Sequence, residues 1–313
     1  MLDEFPMVIA EARSAAPAAL GALEDASSWT VLQVHAEACN LGDSSDRVVA
    51  LVTPAVGAGP FSIVVEIPQG SSGFTAYLAA GDSGEQRAGS LEVGSLRVRL
   101  GGAELWQPRP PWEALREAGS LPRWLDELAA LLASQAPPGS LADGLDSMLN
   151  DRVLEGANEG DLGKMALARA VEAGRKLVRG LASVDLTAAS GAAGELAGLG
   201  AGLTPAGDDF LVGAMLALWS SVDPSQARRT CRTLLDAAGP KTNRLSRAWM
   251  RAAAEGEAAE AWHGLVQAVI QGEGQAVRRA GHRIIRRGHT SGADALTGYV
   301  VVASKTAPGA GAV

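Results

Sequence analysis

Cysteines and aromatic residues are scarce in this sequence, and both shortages limit what the protein can be. The 313 residues include two cysteines, Cys39 and Cys231, which lie far apart and lack C-x-x-C spacing. This pattern excludes a zinc site built from cysteines and provides no disulfide framework. Aromatic residues make up 4% of the chain and hydrophobic residues 47%, so alanine, leucine, valine and glycine must fill the core. We therefore expect closely packed, alanine-rich helices.

The sequence also lacks a basic excess and a long apolar stretch. Its formal net charge is −8 at pH 7, which argues against a nucleic acid as the main partner. No uninterrupted apolar run reaches the roughly 20 residues that a membrane-spanning helix needs. Residues 1–6 are acidic and lack the apolar segment of a signal peptide. We therefore predict a cytoplasmic protein without a membrane or nucleic-acid partner.

The first third of the chain has the pattern of β-structure. Short β-branched or aromatic runs alternate with clusters of Gly, Pro, Ser and Asp. The predicted strands lie at residues 29–36, 47–53, 61–67 and 74–79. Residues 95–100 and 103–106 flank two glycines and predict a β-hairpin, while residues 5–24 predict a preceding helix. Strands at this spacing indicate an antiparallel sandwich or a small barrel.

The pattern becomes helical after the proline-rich segment at residues 107–111. The predicted helices lie at residues 112–118, 121–134, 141–149, 161–181, 208–220, 224–237, 242–255, 258–271, 275–286 and 292–303. We therefore predict an α+β protein with two domains. A β-rich N-terminal domain covers residues 1–110, and an all-α C-terminal domain covers residues 111–313.

The most informative stretch covers residues 198–213. It reads Gly-Leu-Gly-Ala-Gly-Leu-Thr-Pro-Ala-Gly-Asp-Asp-Phe-Leu-Val-Gly. Thr204 and Pro205 are typical of a helix start, with the hydroxyl as the cap. Asp208 and Asp209 then fall in the first helical turn, where the helix dipole favours carboxylates. The glycines before them allow the backbone to approach a small ligand closely.

A second segment, residues 288–298, has a similar design. It reads Gly-His-Thr-Ser-Gly-Ala-Asp-Ala-Leu-Thr-Gly. Asp209 and Asp294 are each followed by leucine two places later and by glycine four places later. We interpret the two segments as helix N-termini that face one pocket. A chance match between two segments rich in glycine and alanine is the alternative.

Helix N-termini with glycine-rich approaches bind anions, because several N–H groups converge there. Neither segment is a Walker loop, since Gly-Lys-Ser/Thr is missing from both. The predicted ligand-binding residues are Gly200, Gly202, Thr204, Gly207, Arg244, Thr290, Ser291 and Gly292. The predicted catalytic residues are Asp208, Asp209, His289 and Asp294.

The adjacent carboxylates suit two kinds of ligand. Asp208 and Asp209 could hold Mg²⁺, which would then bridge to phosphate oxygens. Alternatively, they could accept hydrogen bonds from the NH₂ of an amide or carbamoyl group. His289 would be a proton donor, and Arg244 would supply positive charge for an anionic ligand.

A purely structural interpretation is open for the same residues. Each acid could stabilise a first helical turn by about 0.3 to 1 kcal/mol, and Ser291 and Asp294 have the spacing of a capping box. His289 and Arg244 could simply be solvated. Three more arginines precede the second segment and either steer anions or cover a helix end; they are Arg283, Arg286 and Arg287.

Residues 202–213 and 288–298 resemble a bacterial family, formerly of unknown function, that includes one subunit of oxamate carbamoyltransferase. The resemblance covers most of the chain, although only these two motifs are specific. It implies a part in allantoin catabolism, a branch of purine degradation, in which oxalurate and phosphate exchange with oxamate and carbamoyl phosphate. It also implies that the chain works with two other, unrelated subunits. It assigns no catalytic residues.

Three hypotheses follow for the function. The chain is a carbamoyltransferase subunit with a small anionic substrate, or it is a Mg²⁺-dependent phosphotransferase or hydrolase that uses Asp208 and Asp209. In the third hypothesis it is a non-catalytic scaffold or regulatory subunit. Metal dependence separates the first two, and co-purification with partner subunits supports the third. Assembly as a homo-oligomer is left open.

Overall fold

The computed structural model of the protein describes residues 7–68, 70–152 and 162–307. The chain divides into two compact units, one on each side of the Pro108–Arg109 bond. Among the described residues, the first unit consists of β-strands with one α-helix, and the second consists of helices. The α+β class predicted from the sequence is therefore confirmed.

Eight strands of the first unit close into a β-barrel. They are β1 (Val8–Ala15), β2 (Trp29–Val34), β3 (Ala38–Gly42), β4 (Val48–Val52), β5 (Ser62–Glu66), β6 (Ser83–Arg87), β7 (Ser90–Val93) and β8 (Leu96–Arg99). Their order around the barrel is β5-β4-β3-β2-β6-β7-β8-β1, and pairing between β1 and β5 closes it. A short strand, β9 (Glu104–Leu105), also pairs with β1. Of the two predicted β-architectures, the structure is the small barrel.

The barrel core follows from the alternation of side chains along its strands. In β7 and β8, Leu91, Val93, Leu96 and Val98 are buried, and the residues between them are more exposed. The helix α1 (Pro17–Asp25) packs against β4, whose residues are all buried. Proline in its first turn suits the start of a helix, because the ring presets the backbone angle φ.

Two local predictions in the first unit are wrong. Residues 8–15 form the strand β1 rather than the first half of the predicted helix. Alanines recur there at every second or third position, and their small side chains fit into the barrel core. Residues 73–76 form a short 3₁₀ helix instead of a strand. Gly73 has φ +75, and a Cβ there would lie 1.9 Å from the Ala36 carbonyl oxygen, so the chain must turn at this position.

The predicted hairpin between residues 95–100 and 103–106 is also wrong. β8 pairs with β7 through the tight connection at Gly94-Ser95, so its hairpin partner precedes it. β8 and β9 both pair with β1, and both run parallel to it. The sheet is therefore mixed, and the two glycines at residues 101–102 connect two strands that share a neighbour.

The second unit is all-helical in the described residues, as predicted. Its helices are α2 (Trp112–Ala118), α3 (Pro122–Gln135), α4 (Leu145–Leu149), α5 (Leu162–Ala182), α6 (Leu186–Leu196), α7 (Ala206–Ser221), α8 (Pro224–Ala238), α9 (Arg244–Ala254), α10 (Glu260–Gln271), α11 (Gly274–Ile285) and α12 (Ser291–Thr306). A 3₁₀ turn at Leu141–Gly144 precedes α4. The helix α6 was not predicted, and the expected start of α5 at residue 161 lies outside the described residues. None of the described helices is both long enough and apolar enough to cross a membrane.

The helices α7 and α12 form the centre of this unit and are buried along most of their length. Two glycines allow their backbones to touch. A Cβ at Gly213 would lie 1.7 Å from the Ala295 carbonyl oxygen, and a Cβ at Gly298 would lie 2.1 Å from the Phe210 carbonyl oxygen. Each helix therefore presses against the glycine of the other, and this pairing places their N-terminal turns side by side.

Candidate functional site

The two sequence motifs form matching units in three dimensions. Gly207 and Gly292, each two residues before an aspartate, both lie against the carbonyl oxygen of a residue at the end of the preceding helix. A Cβ at Gly207 would be 2.1 Å from the Leu196 oxygen, and a Cβ at Gly292 would be 1.8 Å from the Ile284 oxygen. Close packing therefore accounts for these glycines, and a ligand contact by either of them stays a prediction.

The N-terminal turns of α7 and α12 are joined by hydroxyl groups. The Thr204 Oγ1 donates a hydrogen bond to Asp209 Oδ2 at 2.9 Å and lies 2.9 Å from the Ser291 Oγ. The structure thus brings residues of both motifs together at one place. It also corrects the role of Thr204, because Pro205 is the N-cap of α7 and no side chain caps that helix.

Asp209 accepts the hydrogen bond from Thr204 and is 9% exposed. Burial raises the pKa of Asp209 well above its ordinary value, and the charges of Asp294 and Asp208 act in the same direction. The hydroxyls of Ser291 and Thr204 oppose this rise in pKa, because they favour the ionised carboxylate. Asp209 is therefore an acid with polar contacts in both motifs.

Asp294 is 0% exposed and lies close enough to Asp209 to influence its ionisation. Its Oδ1 accepts a hydrogen bond of 2.6 Å from the Leu141 amide. Its Oδ2 is buried and has no hydrogen-bond partner of acceptable geometry in the described part of the chain. Burial raises the pKa of Asp294 to about 6, against the opposing effects of the Leu141 amide and the Thr290 side chain.

The capping box of Ser291 and Asp294, which was the alternative structural interpretation, does not form. Thr290 is the N-cap of α12, and Ser291 is already its first helical residue. The Asp294 carboxylate points to the Leu141 amide on a different element, while the Ser291 hydroxyl meets Thr204. Both side chains are thus used between elements instead of within one helical turn.

Asp208 has a different environment from its neighbour Asp209. It is 1% exposed, its Oδ1 accepts a hydrogen bond of 2.8 Å from the Gly198 amide, and its Oδ2 accepts one from the Thr242 hydroxyl. Burial raises the pKa of Asp208, and these donors oppose the rise. Asp208 therefore ties the glycine-rich loop to the start of α9.

A Mg²⁺ site on Asp208 and Asp209 gains no support from this geometry. Both oxygens of Asp208 accept hydrogen bonds from Gly198 and Thr242. Within residues 7–68, 70–152 and 162–307, no three side chains of His, Cys, Asp or Glu are grouped as metal ligands. The two adjacent acids diverge, because successive positions of a helix point about 100° apart.

The other predicted site residues lie around this centre. His289 is exposed in the link before α12, and Arg244 is the partly buried first residue of α9. Gly200 and Gly202 have φ values of +116 and +104, which shape the loop before α7. Roles for these four residues in ligand binding or catalysis stay predictions.

One residue beside the site was not selected from the sequence. Arg287, in the link between α11 and α12, lies over Trp249, with its Cζ 5.5 Å from the ring centroid. Burial lowers the pKa of Arg287, while the charges of Glu260 and Asp209 oppose that shift. The sequence signal was the cluster of three arginines, in which spacing alone does not rank one above the others.

The comparisons with known proteins point to the same segment of the chain. The family model described as oxamate carbamoyltransferase subunit AllH matches residues 196–303, which include both motifs. No curated protein and no solved structure matches this chain. The resemblance predicted from the two motifs is therefore confirmed: over residues 196–303, the chain matches the family of the oxamate carbamoyltransferase subunit AllH.

Proposed function

We propose that this chain is a subunit of a carbamoyltransferase that exchanges the carbamoyl group between oxalurate and carbamoyl phosphate. The match to the subunit family supports this assignment. The observation that carries it is Asp294, a fully buried carboxylate with one oxygen unpartnered in the described residues, close to Asp209 and to hydroxyls of both motifs.

The chemistry of the site suits a carbamoyl or amide group. An NH₂ group has two donors, and both need acceptors when the group is buried. The carboxylates of Asp209 and Asp294 can accept them. The Ser291 hydroxyl, which lies 2.9 Å from the Thr204 hydroxyl, can turn its proton to a carbonyl oxygen while Thr204 donates to Asp209. Acceptors beside donors form the pattern that a carbamoyl group requires.

The transfer also requires a proton to move. When a phosphate oxygen attacks the ureido carbon of oxalurate, a C–O bond forms and the C–N bond breaks. The departing nitrogen of oxamate then takes a proton, and the reverse reaction returns it. Because its pKa is near 6, Asp294 is suited to exchange this proton near neutral pH. Positioning and electrostatic stabilisation of the tetrahedral intermediate supply the remaining catalysis.

The proposal includes partner subunits. The family description names a subunit, so other chains are expected to complete the enzyme and part of the active site. Oxamate and oxalurate are expected as the small anionic substrates, in allantoin catabolism and in the cytoplasm. The described residues contain no group of three His, Cys, Asp or Glu side chains that favours the Mg²⁺-dependent alternative.

The test is calorimetric titration of the purified protein with carbamoyl phosphate, oxamate and phosphate, with and without Mg²⁺. Wild type is compared with Asp209→Asn and with Asp208→Asn as the matched control. We expect metal-independent binding, weakened at least about tenfold, or roughly 1.4 kcal/mol, by Asp209→Asn. Asp208→Asn should keep the affinity and lower the melting temperature.

Three results would contradict the proposal. Asp209→Asn could keep the affinity while losing stability, which would make Asp209 a structural residue. Binding that disappears with EDTA would favour the Mg²⁺-dependent alternative. If neither the chain alone nor its co-expressed complex with the partner subunits binds these compounds, a scaffold role would remain.

A further inference from the structure

The backbone of Arg287, in the link between α11 and α12, is fixed by hydrogen bonds. Its amide donates a hydrogen bond of 3.0 Å to the Ile284 carbonyl, and its carbonyl accepts one of 3.0 Å from the Gly292 amide. A Cβ at Gly292 would lie 3.1 Å from the Arg287 carbonyl oxygen, so the glycine allows this close approach. The position of Arg287 is therefore set by the same packing that sets the start of α12.

The guanidinium of Arg287 is held by an aromatic ring. Its Cζ lies 5.5 Å from the centroid of the Trp249 ring on α9, within the range of a cation–π interaction. The residue is partly buried, and Asp209 and Glu260 act on its charge. Within the described ranges of the chain, no hydrogen bond or ion pair to this guanidinium is found.

Other arginines of the same unit use their N–H groups. Arg175 pairs with Glu172 at 2.6 Å, and also with an aspartate. Arg247 donates from Nε to the Gly239 carbonyl at 2.9 Å, and to a second carbonyl from Nη2. A guanidinium has five N–H donors, and those of the partly exposed Arg287 can be reached by a ligand. Arg287 is therefore a donor group for which the described protein atoms provide no acceptor.

The acceptors that fit it are those of an anion bound at the neighbouring site. Asp209 and Asp294 would repel an anion placed directly against them, so the negative end of a ligand must lie away from them. Arg287 provides positive charge close enough to Asp209 for the two charges to interact. The Oδ2 of Asp294, which has no hydrogen-bond partner in the described residues, provides an acceptor for an amide. The planar fork of arginine suits both carboxylates and phosphates.

We propose that Arg287 binds the anionic end of a ligand whose amide end lies at Asp209 and Asp294. The site then selects small amides that carry a carboxylate or a phosphate, and discriminates against neutral amides of the same size. Trp249 is the positioning residue, because it holds the guanidinium plane in place. This inference rests on the proposed function, since it uses the same site for the carbamoyl group.

The test compares oxamate with oxamide, its neutral analogue, and with carbamoyl phosphate. Calorimetric titrations are made with wild type and Arg287→Gln, and with Arg286→Gln, which changes the neighbouring exposed arginine, as the control. They use the full chain, co-expressed with its partner subunits if the chain alone does not bind. Wild type should bind oxamate at least about tenfold more tightly than oxamide. Arg287→Gln should remove this preference and leave oxamide binding unchanged, whereas Arg286→Gln should match wild type.

Two further variants separate a binding role from a structural one. Arg287→Lys keeps the positive charge without the planar guanidinium and should restore part of the preference for oxamate over oxamide. Trp249→Leu should reduce this preference without removing it. Melting temperatures of all variants show whether the fold is intact. A loss that affects only carbamoyl phosphate would identify phosphate as the bound group, and a loss that affects only oxamate would identify the carboxylate.

The failure of this inference differs from the failure of the proposed function. If a folded Arg287→Gln protein still prefers oxamate to oxamide and binds carbamoyl phosphate as tightly as wild type, the role of Arg287 is wrong even when Asp209→Asn abolishes binding. If Asp209→Asn leaves the binding of both amides unchanged, the carbamoyl site is wrong, whatever Arg287 does. If wild type binds none of the three compounds, alone or in its complex, both are wrong.

Discussion

The two helix N-termini of the second unit share one frame and differ in the residues around it. In each, a glycine before the aspartate packs on the preceding helix, and a glycine after the aspartate packs on the partner helix. These pairs are Gly207 and Gly213 in α7, and Gly292 and Gly298 in α12. The glycines that both N-termini share therefore hold the helices together. A residue that is repeated in the two motifs is accordingly expected to serve packing before it serves ligand binding.

The two N-termini differ in the residues around their aspartates. Before α7, a long loop carries Thr204, and Asp208 joins that loop to the start of α9 by hydrogen bonds to Gly198 and Thr242. Before α12, a shorter link carries Arg287. Asp209 and Asp294 occupy equivalent positions, yet Asp209 accepts a hydrogen bond from a hydroxyl, whereas Asp294 accepts one from a backbone amide and has a second oxygen without a partner in the described residues. The surroundings of the two aspartates are therefore asymmetric, as expected for the proposed ligand, whose two ends differ.

The largest expected effect comes from the glycines at the crossing of α7 and α12. Gly213→Ala and Gly298→Ala should each lower the free energy of unfolding by about 3 kcal/mol, because the new methyl group would overlap a backbone oxygen of the partner helix. Denaturant unfolding measures this. Gly191→Ala in α6 is the control, since nothing lies within 4 Å of its Cβ position, and it should stabilise the helix by roughly 0.5 to 1 kcal/mol. Similar stabilities for Gly213→Ala and wild type would show that the helices do not cross at this point.

The next largest effect is a difference in stability between variants of the two adjacent acids of the first motif. Asp208→Ala should lower the free energy of unfolding by about 2 kcal/mol, because it leaves the Gly198 amide and the Thr242 hydroxyl without an acceptor. Asp209→Ala should change it less, since its hydroxyl partners still meet each other and a buried charge is removed. Thermal or denaturant unfolding of both variants measures the difference. Equal losses would remove the distinction between the two acids.

The equivalent acid of the second motif should make stability depend on pH. The pKa of Asp294 is about 6 in the folded protein and about 3.9 in an unfolded chain. Between these values the folded state holds more protons, so its stability decreases as the pH rises from about 4 to about 6. Asp294→Asn should remove this decrease, which is on the order of 3 kcal/mol. The measurement is the difference in unfolding free energy between variant and wild type across that range, and a constant difference would contradict it.

The smallest expected effect is the coupling energy between the two motifs. A double-mutant cycle of Thr204→Ala and Ser291→Ala should give a coupling energy of about 0.5 to 1 kcal/mol, because the hydroxyls lie within hydrogen-bonding distance of each other. Denaturant unfolding of the two single variants and the double variant measures it. Ser190→Ala, which removes a local hydroxyl-to-carbonyl bond on the exposed side of α6, should not couple to Thr204→Ala. Strict additivity in the first cycle would show that the motifs act separately.

Helices were predicted more accurately than strands, for a physical reason. A helix is stabilised by local hydrogen bonds and by one apolar face, and both leave a period in the sequence. The helix α2 was predicted with its observed bounds, 112–118. The strand β1 was predicted as helix because its alanines favour helix locally, and its hydrogen-bond partners β5 and β8 lie far away in the chain. The polar strand β6 was missed because its pairing, not its composition, makes it a strand.

The same distinction applies to the candidate site. The motifs identified Asp209, Asp294, Thr204 and Ser291 as candidates, and the structure places them together. The cap role predicted for Thr204 is wrong, since Pro205 is the N-cap of α7, and the alternative interpretation of Ser291 and Asp294 as a capping box is wrong as well, since Thr290 is the N-cap of α12. The contact of Asp294 with Leu141 joins residues far apart in the chain. No local pattern in the sequence contains such a contact.

By itself, the sequence determined the α+β class, the change from strands to helices near residue 110, and the two matching helix starts that the family comparison covers. Periodicity, glycine spacing and motif order are local properties, so they can be recognised before folding. Only the tertiary structure decided that the barrel closes through β1 and β5. It also decided that Asp208 bonds to Gly198 and Thr242 while Asp209 bonds to Thr204, and that the charge of Arg287 acts on Asp209. These outcomes depend on which distant groups share a buried space, because burial and missing partners are properties of the packed chain.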